Sequence, residues 1–248
     1  VNGIPEQEVS EFRKLRKLHN IGPVFIHASY LINLCSVSRE VLGRSVRLLV
    51  REMELADLIG ADYVVLHTGS ASQDTADNAR GRAIGALRTT LGNGNWEARL
   101  LLENTAGERG DISSRIVHLA EIIEKSNSPS IGGICLDTCH AFQAGYEISK
   151  KSGVSALAKE IGEYIGLDKI KLIHLNDSKK GFNSGVDRHE HIGQGSIGKE
   201  GLKYFINHPA FKTIPLVLET PKKSEEDDPR NLKVVRRYLN CGKPLSRI

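Results

Sequence analysis

Three observations predict an α/β fold of alternating strands and helices for this 248-residue chain. Six short apolar runs are rich in leucine and β-branched residues: VFIHAS from Val24, YVVLHTG from Tyr63, RLLLENT from Arg99, IGGICLDTC from Ile131, KIKLIHLND from Lys169 and IPLVLET from Ile214. Stretches with helical spacing lie between them. The runs also recur at a nearly constant interval along the whole chain. Unbroken apolar runs of this length suit strands buried on both faces, as in a parallel sheet.

The elements follow in order. Glu6 to His19, with Val9, Phe12, Leu15 and Leu18 apolar, reads as a helix ahead of the first strand. Arg39 to Ile59 places Val41, Leu42, Val46, Leu49, Met53 and Ala56 at three- and four-residue steps, one face of a helix. Ser113 to Lys125 repeats the pattern with Ile116, Leu119, Ala120 and Ile123. Ser155 to Ile165 and Pro229 to Leu239 are the remaining helical stretches. Strand and helix alternating in this way imply βα repeats joined by right-handed crossovers.

Each predicted strand ends on a residue able to bind a metal: His27, His67, Glu103, Asp137, His174 and Glu219, at intervals of 40, 36, 34, 37 and 45 residues. That is the length of one βα unit in a closed barrel, where the carboxyl ends of the strands converge on one mouth. A polar strand end is by itself unremarkable. Six of six with ligand chemistry point to a metal site, since neutral imidazole and carboxylate suit borderline divalent ions. Three carboxylates buried together without cations would also repel one another and be costly to desolvate. The expected fold is therefore a TIM-type (β/α) barrel in a single domain over residues 1–248. A closed barrel needs eight strands and six are found. With Val1 in first position and 23 residues ahead of the first run, the chain is expected to lack its first two βα units and to present two unpaired sheet edges.

Composition narrows the function classes. Hydrophobic residues make up 40%, aromatic residues 5% and charged residues 26%. No run approaches the ~18 apolar residues of a membrane span, and no basic and apolar leader opens the sequence. Cys35, Cys135, Cys139 and Cys241 are too few and too scattered for a disulfide framework, and no C-x-x-C pair occurs. A reducing, intracellular setting is expected. A net charge of +4 permits contact with a polyanion without requiring it.

Further candidate ligands lie near the ring. His140 follows Asp137 by three residues in LDTCHAF, and Asp187 and His189 form D-x-H within the Gly-, Ser- and charge-rich segment from Asn176 to Glu200. A loop of that length in a compact domain is usually functional or disordered. A spacing of two in extended chain sets Asp187 and His189 on one side. With His140 they would hold one more zinc with an open position. His191 lies one step farther and is left out. Cys135 and Cys139 flank Asp137 and are expected to pack as small hydrophobes rather than ligate.

The strings SYLINL (Ser29 to Leu34), HTGS (His67 to Ser70), LENTAG (Leu102 to Gly107), DTCHAFQAGY (Asp137 to Tyr146), HLNDSK (His174 to Lys179), VDRHEHIGQGSIG (Val186 to Gly198) and PLVLET (Pro215 to Thr220) resemble the endonuclease IV family of apurinic/apyrimidinic endonucleases. HTGS stands where the family usually has HPGS, which leaves the histidine intact. The resemblance implies a trinuclear zinc site with counterparts for all nine family ligands. His27 and His67 would hold the first zinc, Glu103 would bridge it to the second, Asp137, His174 and Glu219 would complete the second, and His140, Asp187 and His189 would hold the third. The implied reaction is hydrolysis of the DNA phosphodiester 5′ to an abasic site, leaving a 3′-hydroxyl. The carboxylates Glu103, Asp137 and Glu219 would shape the catalytic centre around a metal-bound hydroxide. A missing base offers no edge to read, so recognition requires duplex distortion. Tyr30 and Leu31 resemble the family's wedge into the base stack, with core packing as the alternative. Arg188, Lys179 and Lys180 would meet phosphates, with plain solvation as the alternative. The expected partner is double-stranded DNA bearing abasic sites, and the expected state is a cytoplasmic, nucleoid-associated monomer with no membrane contact.

Two other classes fit parts of the pattern. A metal-dependent sugar isomerase or epimerase also gathers His, Glu and Asp at barrel strand ends, but needs neither the D-x-H loop nor SYLINL. A non-catalytic metal- or DNA-binding remnant would fit an incomplete barrel. Nicking of an abasic-site duplex, set against a panel of ketoses, separates the three.

Overall fold

The computed structural model describes residues 3–71, 74–92 and 94–239; Cys241 lies outside them. The chain divides into two compact units, one comprising residues 1–103 and 121–133 and the other residues 104–120 and 134–248.

The first unit opens with helix α1 (Glu6–Leu18), strand β1 (Phe25–His27), helix α2 (Arg39–Ile59), strand β2 (Tyr63–Leu66), helix α3 (Ala76–Gly92) and strand β3 (Arg99–Glu103). Its strands pair in parallel, with Ile26 opposite Val64 and Val65 opposite Leu101. The expected unbroken burial holds: Val64, Val65, Leu66, Leu100, Leu101 and Leu102 are buried. Ser38 caps α2 by accepting from Val41 N at 3.4 Å, and Gly60 ends it in the left-handed region at φ 72°. Leu49, Met53 and Ala56 fill the core from α2, each side chain larger than alanine contributing ~1.5–3 kcal/mol. The first turn is more open than its spacing predicts, and Val41 is exposed. Helix α3 has no counterpart among the expected elements. It packs through Ala79, Ala83, Ala86 and Leu87, small side chains that leave little apolar periodicity to read.

The second unit carries the end of strand β4 (Ile131–Asp137), helix α5 (Thr138–Gln143), helix α6 (Lys151–Tyr164), strand β5 (Ile170–His174), the short strands β6 (Asp177–Ser178) and β7 (His189–Glu190), helix α7 (Gly198–Asn207), strand β8 (Leu216–Val217) and helix α8 (Asp227–Tyr238). Helix α4 (Ile116–Ser126) has residues in both units. Asp137 lies opposite His174, and His174 opposite Val217, so β4, β5 and β8 run parallel. The core holds Phe205 stacked on Phe211 at 4.4 Å, with Leu157, Ile161 and Leu172.

The segment from Asn176 to Glu200 is not the uninterrupted loop its composition predicts. Strands β6 and β7 pair antiparallel, Asp177 opposite Glu190 and Ser178 opposite His189, and α7 begins at Gly198. Buried Asp177 then gathers the chain that follows the ribbon by collecting backbone donors. Ser178 N (2.8 Å), Gly195 N (3.0 Å), Ile197 N (3.0 Å) and Gly198 N (3.2 Å) all reach its carboxylate. Burial raises the Asp177 carboxyl pKa, and these four donors act against that rise.

Candidate metal centre

Every expected strand-end ligand sits at or just past a strand terminus. His27, Glu103, Asp137 and His174 are the last residues of β1, β3, β4 and β5, His67 follows β2 directly, and Glu219 lies two residues past β8.

In the first unit, two imidazoles converge on one carboxylate. Glu103 is fully buried, and its Oε2 lies 3.0 Å from His27 Nε2 and 2.9 Å from His67 Nε2. The two rings meet edge to face with centroids 5.4 Å apart. His27 Nδ1 lies 3.0 Å from the Ala28 carbonyl, which assigns the proton to Nδ1. The Nε2 lone pair of a neutral ring then faces a carboxylate oxygen. Two acceptors at that distance call for a proton or a cation between them.

In the second unit the same arrangement occurs twice over. His140 Nδ1 lies 2.9 Å from the Asn104 carbonyl, and His189 Nδ1 lies 2.9 Å from the Glu219 carbonyl. Both carbonyls fix the tautomer and leave Nε2 as an acceptor. These Nε2 atoms are 3.4 Å apart, and Asp187 reaches them through Oδ2 at 3.2 Å and Oδ1 at 3.3 Å. Beside this trio, ligand atoms of Asp137, His174 and Glu219 all lie within 4.8 Å of one another, with His174 Nδ1 3.0 Å from Glu219 Oε2. The donor set is imidazole and carboxylate throughout, and backbone carbonyls orient three of the rings, His27, His140 and His189. It fits a borderline divalent cation such as zinc.

Uncharged residues hold the ligands in place, and the sequence reading assigned them no role. Asn104 Nδ2 donates to the Asp137 carbonyl at 3.0 Å, and its Oδ1 accepts from Asp137 N at 2.8 Å. Asn176 Nδ2 donates to Asp137 Oδ2 at 2.6 Å and approaches Glu219 Oε2 at 3.4 Å, while its Oδ1 accepts from Glu219 N at 2.8 Å. Thr138 Oγ1 donates to the Asn176 carbonyl at 2.7 Å and accepts from Asn176 N at 2.9 Å. Their one signal in sequence is position, directly after a ligand or two residues past one. Asp137 also caps α5, accepting from His140 N at 2.7 Å, so one ligand's carboxylate orients the helix that carries another.

His191 belongs elsewhere: its Nδ1 accepts from Asn231 Nδ2 at 3.1 Å. Cys139 stands near Asp137 and His189. Its Sγ approaches the Arg188 carbonyl at 3.5 Å, and burial pushes the thiol far up, so it packs as a neutral thiol. Tyr30 and Leu31 are 92% and 62% exposed, which removes the core-packing alternative for both. Lys179, Lys180 and Arg188 are also exposed. Lys179 N donates to the Arg188 carbonyl at 2.9 Å, and Arg188 Nη1 to the Asp187 carbonyl at 2.6 Å, so Arg188 leans against a ligand residue.

Residues 1–240 match the family described as xylose isomerase-like TIM barrel. A protein of Halothermothrix orenii named "Probable endonuclease 4" is 42% identical over 227 residues, 90% of this chain and 82% of its own length. One of the same name from Thermosipho africanus is 40% identical over 218 residues, 87% of this chain and 77% of its own length. Among solved structures, endonuclease IV from Thermus thermophilus superposes with a TM-score of 0.82 at 37% identity, covering 96% of this chain and 83% of its own. A D-tagatose 3-epimerase-like protein superposes at 0.72 with 20% identity over 94% of this chain and 82% of its own, a likeness of fold alone.

Proposed function

The chain belongs to the endonuclease IV family, apurinic/apyrimidinic endonucleases of the TIM-barrel class, and we propose that it hydrolyses the phosphodiester 5′ to abasic sites in double-stranded DNA with three zinc ions. The observation that carries this reading is the His140–Asp187–His189 trio. It is a ligand set that takes Asp187 and His189 from the β6–β7 segment, which a sugar isomerase of similar fold has no need of, and His140 from α5.

His27, His67 and Glu103 would hold one ion, Asp137, His174 and Glu219 a second, and His140, Asp187 and His189 a third. Zinc held by these residues would supply neutralisation of the phosphodiester charge, a bound water with its pKa brought toward about 7, and stabilisation of the departing oxygen.

The chain's own residues set the conditions for this. The Ala28, Asn104 and Glu219 carbonyls accept from Nδ1 of three imidazoles, which leaves Nε2 of each for a cation. Asn176 keeps Asp137 and Glu219 from turning apart. Glu103 and Asp137 are fully buried, so neither carboxylate is hydrated by bulk solvent. In the net reaction a water oxygen joins phosphorus, the P–O3′ bond breaks and the 3′-oxygen takes a proton. Tyr30 and Leu31 enter the base stack at the lesion, while Lys179, Lys180 and Arg188 meet phosphates and register the strand. We infer that the active form is a monomer working on the nucleoid. Among the described residues no helix is long and apolar enough to cross a membrane.

The test is incision of a duplex oligonucleotide carrying one abasic site, with and without chelator. A nick whose 3′ end a polymerase extends, lost on chelation and restored by zinc, is the expected result. Absence of incision in the zinc-loaded protein, or turnover of a ketose instead, overturns the reading.

A further inference from the structure

The first unit contains a second cavity, of about 580 Å³, at the end of the strands remote from the ligands. Arg99 opens β3 there and Ser130 directly precedes β4. The four residue steps from Arg99 to Glu103 set the cavity roughly 13 Å from the nearest candidate ligand, at the rise of a strand.

The chemistry of its wall is one-sided. Two guanidinium groups, Arg88 and Arg99, line it, and no carboxylate does. Each arginine is anchored through one nitrogen: Arg88 Nε donates to the Lys125 carbonyl at 2.7 Å and Arg99 Nη1 to the Pro129 carbonyl at 2.6 Å. Their other N–H groups remain for an acceptor, at fixed positions. Two neutral donors of the same wall have no partner among the described residues. Ser126 is 2% exposed, and its Oγ is buried without a hydrogen bond, as is Trp96 Nε1. A buried unsatisfied donor costs ~1–3 kcal/mol; both atoms lie beneath the wall without accessible surface, so the two guanidinium groups are the charge that a ligand in the cavity meets. A Cβ on Gly94 would overlap the Trp96 indole, so glycine at that position is what lets the ring close this wall.

A ligand with several acceptor oxygens and a negative charge suits two guanidinium groups with no carboxylate beside them. We propose that this cavity binds the phosphate group of a small phosphorylated ligand, with Arg88 and Arg99 as its charged clamps. Inorganic phosphate and a mononucleotide offer the same group. The site is independent of the metal centre, and its occupancy does not depend on the nuclease reading.

Trp96 is the chain's one tryptophan, so its emission reports on this cavity. The full chain is titrated with sodium phosphate and separately with a deoxynucleoside 5′-monophosphate, with sodium chloride holding ionic strength constant. Saturable change in emission is expected, with half-saturation weakened roughly tenfold or more in Arg88→Gln and in Arg99→Gln, since charge-assisted hydrogen bonds are lost. Tighter half-saturation by the mononucleotide assigns the nucleotide as ligand, and equal half-saturation assigns the phosphate group alone. A signal that does not saturate, or one that persists unchanged in Arg88→Gln, overturns the proposal. Circular dichroism confirms that each variant is folded. Arg88 anchors on the surface of its helix, so Arg88→Gln carries the test if Arg99→Gln does not fold.

Discussion

His140 and His189 present their Nε2 atoms to each other at 3.4 Å while each commits its Nδ1 to a backbone carbonyl. Neither nitrogen of the facing pair has a proton to give when both rings are neutral, and Asp187 adds two more acceptor atoms. A divalent cation converts this repulsive grouping into a coordination sphere. His189→Ala is therefore expected to lose about one zinc equivalent per chain by elemental analysis, and incision with it. Loss of activity with zinc content unchanged would show that His189 acts some other way.

Asn176 is a positioning residue. Its amide reaches one carboxylate oxygen of Asp137 and one of Glu219, and it receives the Glu219 amide hydrogen. Asn176→Ala is expected to lower zinc affinity or turnover by ~10–100-fold, the usual effect of removing a partner that orients ligands. Zinc competition with a chromogenic chelator reads the affinity. An unchanged competition curve together with unchanged turnover would leave the amide without a role.

Tyr30 and Leu31 are exposed just beyond His27, so truncation removes no core contact. Tyr30→Ala and Leu31→Ala should change unfolding stability by no more than ~0.5 kcal/mol and leave zinc content alone. Affinity for an abasic-site duplex should fall, and affinity for intact duplex should fall less. Equal losses on both duplexes would make these side chains general DNA contacts rather than a wedge.

The thiols offer a check on the ligand set. Cys35, Cys135 and Cys139 are fully buried, and burial holds the Cys139 thiol protonated. A colorimetric thiol reagent should leave all three unmodified in the native protein and label them on denaturation. Chelation of zinc under native conditions should not add Cys139 to the labelled set; if it does, the thiol is a ligand.

The six parallel strands and the six candidate ligands at their ends were legible because each of these strands is an apolar run that stops at, or within two residues of, a His, Glu or Asp. Helix α2 was legible to the residue, since Ser38 and Gly60 mark its ends chemically. Helix α3 was not, because alanines bury its face without building a periodic apolar signal. The β6–β7 ribbon and the start of α7 were hidden in a glycine- and charge-rich segment that carries no apolar period and is tied together in part by one buried carboxylate, Asp177. Asn104, Thr138 and Asn176 were passed over for a related reason. A search for ligand chemistry sees titratable groups, and the orienting partners here are amides and a hydroxyl.

Asp177 gives the glycine-rich stretch after His191 an unusual property. Chain of that composition ordinarily trades its amide hydrogens with solvent almost at once, yet the amides of Gly195, Ile197 and Gly198 are each held by that one side chain. The chain that follows Asp187 and His189 is thus pinned at three amides by a single carboxylate. A change at that one position would loosen the stretch beyond two of the nine candidate ligands without touching any ligand.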